Sequence, residues 1–272
     1  MNRRERTRLR SRRFTSQGDI VQAQNAIQKA QELEETLLSL AHPTETEVVN
    51  PGDDDTPVWH LLAVAEVYRY TGLIQLYRVF PDLLQKRLEL GDISRHGLTD
   101  MGPGSFNAQN PSSSSLLSSA GLPDAVSGDA NAFQFDQETE DIPGPVRNEW
   151  LATFAVTAVS RLKSIPLESR TRCLQPFLLV ASSSELRLPP IDAPSPNLDS
   201  NALNLSAHAI EVSRTRKFIL GRLSSFLHVL PPKPIHICLK LVKEVWRRMD
   251  AGESNVYWMD VMMDNGWETT MG

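Results

Sequence analysis

Cysteine is nearly missing from this chain: Cys173 and Cys238 are the only two. Two thiols cannot make a disulfide framework or a thiolate-rich zinc site, so a reduced, intracellular setting is expected. No run of about 18 apolar residues occurs, so no membrane span is expected. The charged N-terminus is not followed by the apolar stretch of a secretory signal, and the sequon at Asn204 to Ser206 is read as chance. A basic balance is missing too. The net charge is −5 and the pI about 5.7, which argues against a protein that coats nucleic acid. Catalytic signatures are equally scarce: there is no G-x-S-x-G elbow, Walker loop, dinucleotide-binding glycine fingerprint or H-E-x-x-H. His42, His60, His96, His208, His228 and His236 are not spaced as metal ligands. His228 and His236 come nearest to each other, but the prolines between them oppose a shared helical face. No catalytic residue, cofactor or metal site is expected, and the chain is not read as an enzyme.

What is present is helical patterning. Ile20, Ala23, Ile27, Ala30, Leu33, Leu37 and Leu40 recur at helical spacing, predicting a helix over Gly18 to Ala41 with Asp19 as its N-cap. After the acidic turn "NPGDDDTP", the stretch from Val58 to Phe80 is apolar over too wide an arc for a surface helix. Tyr68, Tyr70, Tyr77 and Phe80 are expected as core aromatics, or as the wall of a pocket between helices. Glu66 and Arg69 stand at pairing distance on a helix, and Arg78 with Asp82 if the helix survives Pro81.

Between Asp92 and Pro145 periodicity gives way to Ser, Gly, Asn and Asp, which reads as a disordered insertion within one domain. Helical spacing returns at Arg147 to Ser164 and continues past Pro166, with a bend expected at Pro176. A loop over about 189–204 separates it from helices at Ser206 to Leu230, Ile235 to Met249 and Val256 to Met263. Cys173 is placed on a mainly apolar helix and Cys238 among apolar neighbours, both as small hydrophobes. Alternating strand patterns are lacking. The fold class is all-α: a flexible basic segment over 1–18, then a multi-helix body over 19–272 with its two insertions.

The first segment carries Arg3, Arg4, Arg6, Arg8, Arg10, Arg12 and Arg13 against Glu5. It is open to three readings: a solvated end, a nuclear-import signal, or an arm that contacts phosphates. No aromatics are interleaved to stack on bases.

"AEVYRYTGLIQLYRVFPDLL" resembles the hallmark helix of the fungal-specific transcription factor domain, the regulatory region of fungal binuclear zinc cluster regulators. Ala65, Glu66, Tyr68, Arg69, Leu76, Tyr77, Arg78, Phe80 and Pro81 carry the match. "RTRCLQPFLLVASSSE" resembles the family's later helix through Pro176, Phe177, Ala181 and Glu185, with Ser182 to Ser184 replacing the usual Gly-Cys. Trp246, Asp250, Gly252, Trp258, Val261, Met262, Gly266 and Trp267 match the C-terminal signature. The resemblance implies a nuclear module regulating RNA polymerase II transcription. Its implied partners are transcription machinery or regulatory proteins, a small-molecule effector and a second copy in a homodimer. The family's DNA reader needs six cysteines around two zinc ions, which this chain cannot supply. Direct DNA contact is therefore not expected, and the chain is either a truncated product or a regulator that never touches DNA itself. The alternative is a helical small-molecule carrier or enzyme. The matched residues are expected to be structural.

Overall fold

The computed structural model describes residues 16–89, 144–188 and 200–268. They form eight α-helices and one 3₁₀ turn, with no strand among the described residues. The arginine-rich segment, almost all of the stretch read as an insertion, and 189–199 lie outside them.

Helix α1 (Gln17–Ser39) starts one residue before the expected Gly18, and its N-cap lies three residues before Asp19. Ser16 is the N-cap, and Asp19 reaches back to the Ser16 amide to close a capping box. Its docked face also differs from expectation. Ile20, Leu33 and Leu40 are 40–50 % exposed, while Ala30 and Glu34 are buried. Glu34 tolerates burial because Arg87 approaches its carboxylate at 3.2 Å.

Helix α2 (Val58–Val79) is the central strut, packed most extensively on α4 (Gly144–Lys163) and also on α1. Val67, Tyr70, Leu73, Ile74 and Tyr77 meet Leu151, Phe154 and Ala158 in one core. Tyr70 lies edge-on to Phe154 with ring centres 5.3 Å apart, and Tyr77 edge-on to Trp150 at 5.7 Å. That geometry suits the aromatic quadrupole. The helix ends at Val79 because a residue before proline disfavours the helical region, and Phe80 sits at φ −123°. Pro81 then opens α3 (Pro81–Glu89), where a missing amide costs nothing.

Pro176 acts in the same way. A 3₁₀ turn (Arg170–Cys173) capped by Ser169 leads into α5 (Gln175–Ser183), and Pro176 occupies the helix start instead of bending a continuous helix. Helix α6 (Ser200–Phe226) begins inside the stretch read as loop. Ser, Asn and Asp favour helix starts as readily as loops, so their presence misplaces a boundary. Helix α7 (Pro232–Asp250) again starts on a proline. It ends in a Schellman turn: Gly252 at φ 83° lets its own amide donate to Met249 and the Glu253 amide donate to Arg248. Helix α8 (Trp258–Asp264) closes in the same way at Gly266, φ 61°, with the Trp267 amide donating to Met262.

Candidate functional site

Two features converge on α2. The first is a polar seam that ties the C-terminal signature to its lower half. Gln75 donates through Nε2 to the Ala181 carbonyl at 3.1 Å. Its Oε1 accepts from the Tyr257 hydroxyl at 2.6 Å and from Trp258 Nε1 at 3.1 Å. One turn on, Arg78 donates to the Val256 carbonyl at 3.0 Å and pairs with buried Glu185 at 3.5 Å. The Ser182 to Ser184 insert contributes directly: the Trp258 amide donates to Ser184 Oγ at 2.8 Å, and Trp246 Nε1 to the Ser183 carbonyl at 3.0 Å. Arg216 stacks 5.0 Å from the Trp246 ring, donates to the Leu186 carbonyl and grips Asp250 through two nitrogens. Arg187 ties in Met249 and Glu253 through their carbonyls, and burial lowers its pKa.

At the upper half of α2, Glu66 is buried, accepts from the Tyr70 hydroxyl at 2.6 Å and faces Arg161 at 3.5 Å. Burial first, then Glu66, pushes the Tyr70 phenol up to about 12. Arg69 donates to the Leu40 carbonyl at the end of α1 and lies 5.5 Å over the Tyr70 ring. Tyr77 is fully buried, and its phenol is raised by burial and by nearby Glu34. Trp267 packs partly buried against the core, while Phe80, Pro81 and Pro176 set helix boundaries.

Tyr68 departs from its expected place in the core. It is 38 % exposed, stacks on Phe177 at 6.1 Å and reaches the Leu174 carbonyl at 3.4 Å. It forms part of the second feature, a groove of about 460 Å³. Leu61, Val64, Ala65, Tyr68 and Arg69 line it from α2, Leu37 and Leu40 from α1, and Leu174 from the turn before α5. These α2 positions recur at intervals of three and four, so one helical stripe faces the groove. The lining is almost wholly apolar, as ligand clefts generally are.

Other sequence candidates sit elsewhere. Cys173 is exposed and donates to the Arg170 carbonyl, whereas Cys238 is buried and its thiol is pushed up to about 11. His60 is buried, and desolvation lowers its pKa. Among the described residues no three metal-ligating side chains gather, and no helix is long and apolar enough to cross a membrane.

The model of the fungal specific transcription factor domain matches residues 4–101 and 160–272. The chain belongs to that family. No curated protein and no solved structure matches it. Family membership assigns a transcription-regulatory role. The matched segments contain the whole seam and the whole groove. Residues 102–159 fall outside the family match, although Trp150, Leu151 and Phe154 complete the core against α2.

Sequence reasoning missed Gln75, Tyr257 and Arg216. A glutamine inside an otherwise apolar helix was the one available signal, since a buried amide needs partners.

Proposed function

We propose that this chain is the effector-reading module of a transcription regulator, and that a small apolar molecule held between α1 and α2 biases its conformation. The observation that carries the reading is the apolar groove closed on one side by a lightly attached helix. Helix α1 has only Ala30 and Glu34 buried, so its docking is open to adjustment. A ligand that prefers one placement of α1 shifts the population by its differential affinity. A packed route leads from the groove to the seam. Tyr68 stacks on Phe177, Phe177 meets Trp258 edge-on at 6.0 Å, and Trp258 bonds to Gln75.

The module acts in the nucleus, with residues 3–13 as its import signal, and passes the change to transcription machinery or regulatory proteins. DNA recognition comes from elsewhere than the helical body. Leu33, left exposed on α1, offers part of a homodimer contact.

An apolar fluorescent probe, 1-anilinonaphthalene-8-sulfonate, tests the groove on the full chain. Ala65→Trp places an indole in the cleft from an exposed helix position. It should abolish saturable probe binding while leaving the melting temperature within a few degrees. Unchanged probe affinity in Ala65→Trp would remove the groove from the reading. A reporter assay with deletion of residues 3–13 checks the import signal, and unchanged distribution would refute it.

A further inference from the structure

Helix α7 buries its apolar face and turns a stripe of basic side chains to solvent. Lys233, His236, Lys240, Lys243 and Arg247 are all exposed. At about 100° per residue they fall within an arc of about 80°. The neighbouring carboxylates are already committed: Glu244 to Arg247 and Arg248, and Asp250 to Arg216. Among the described residues no ion pair engages Lys233, Lys240 or Lys243. These lysines recur at intervals of seven and three residues on a chain whose net charge is −5. Beside them lie half-buried Ile237 and, in the turn leading into α7, Val229 at 47 % exposure.

The same chain carries the complementary chemistry. From Gly97 to Val146 there is no lysine or arginine. Asp136, Glu138, Glu140 and Asp141 cluster directly after Phe133 and Phe135. This segment lies within the stretch that the family match omits, so it is a feature of this chain beyond the family pattern. We infer that residues 133–141 dock in cis on the basic stripe of α7, carboxylates against Lys233, Lys240 and Lys243, and phenylalanines toward Ile237 and Val229.

The tether brings much of the bundle's surface within range. Residue 133 lies 11 residues before Gly144, where α4 begins. At about 3.4 Å per residue this gives a reach of roughly 35 Å. A body of this size is about 40 Å across. Helix α4 packs on α6, and α6 packs on α7, so the attachment point belongs to the same bundle as the stripe. Tethering supplies an effective concentration in the millimolar range, enough for a modest charge-based contact to be populated. The inference is independent of the groove.

Zero-length carbodiimide coupling of the full chain, read by peptide mass spectrometry, tests it. Crosslinks should join Lys233, Lys240 or Lys243 to Asp136, Glu138, Glu140 or Asp141 within the monomer band. Their yield should fall about tenfold when salt shortens the screening length from about 10 Å at 0.1 M to about 3 Å at 1 M. The exposed substitutions K233E/K240E/K243E should abolish them with the helical signal intact. Combining K240E/K243E with D136K/E138K should restore crosslinks with the partners exchanged. Stripe lysines that couple only to other carboxylates, or only between copies in a dimer band, would overturn the proposal. So would salt-independent coupling, or failure of the exchanged pair.

Discussion

Replacing Gln75 by leucine is the sharpest challenge to the polar seam. Leucine has nearly the same volume, so the substitution leaves no large cavity and isolates the hydrogen bonds. Three partners lose their bond: the Ala181 carbonyl, the Tyr257 hydroxyl and Trp258 Nε1. A stranded buried polar group costs about 1–3 kcal/mol. The Tyr257 hydroxyl keeps a 3.3 Å contact to the Met259 sulfur, and Gln75 is only half-buried, so water can reach part of the site. Taking the low end for each group gives about 3 kcal/mol. For a domain of this size, that is a fall of about 6–12 °C in Tm. Urea unfolding followed by tryptophan fluorescence would show a lower midpoint at unchanged slope. Tyr257→Phe in a double-mutant cycle with Gln75→Leu should show a coupling of at least about 0.5 kcal/mol. A loss below about 0.5 kcal/mol for Gln75→Leu, with no coupling, would refute the view that these bonds hold the C-terminal signature in place.

Three further outcomes rest on other side chains of the bundle. Arg216→Lys gives up a two-nitrogen grip on Asp250 that lysine cannot reproduce, and should cost about 2 kcal/mol in urea unfolding. A native-state thiol titration should modify Cys173 promptly, and Cys238, buried and raised to about 11, only on unfolding. Glu244 is lowered to about 2, first by its hydrogen bond to Arg247, so its stabilising effect is present above the unfolded carboxylate pKa of about 4.5 and lost as pH falls toward 2. Because the pair lies on the helix surface, Glu244→Gln should cost under about 1 kcal/mol near neutral pH and nothing measurable below pH 2.

The architecture was largely legible. Proline and spacing marked α2, α3 and α7, because a proline's steric effect is local and needs no tertiary partner. The face on which α1 docks was not legible. Ile20, Leu33 and Leu40 are more apolar than Glu34, yet Glu34 is the buried one, since Arg87 arrives from α3 to pair with it. A partner 53 residues away leaves no trace in local periodicity. The same limit explains Tyr68. Its spacing placed it with the core aromatics, but α2 is apolar on nearly all sides, so periodicity could not say which side lacks a neighbour. The start of α6 was misread because Asp199, Ser200 and Asn201 suit both a loop and a helix opening.

The hallmark residues of α2 divide by height along the helix, and that division links fold to regulation. Arg69 and Tyr68 lie at the groove, where Arg69 bonds to the last turn of α1 and Tyr68 forms a wall. Gln75 and Arg78 lie below, where they hold Trp258 and the Val256 carbonyl. An α-helix rises about 1.5 Å per residue, so about 9 Å of helix separates Arg69 from Gln75 and about 13 Å separates it from Arg78. Between them Tyr70, Thr71, Leu73 and Ile74 are buried, with Tyr70 edge-on to Phe154. On the proposed reading, a displacement imposed at the groove acts on a helix whose middle is packed in the core. It passes either by rigid movement of α2 against α4, which the aromatic packing opposes, or along the rings from exposed Tyr68 through half-buried Phe177 to buried Trp258. The second route disturbs less buried surface. Removing Tyr68 should thus uncouple the groove from the seam while sparing the core, which distinguishes it from every other residue of the hallmark helix.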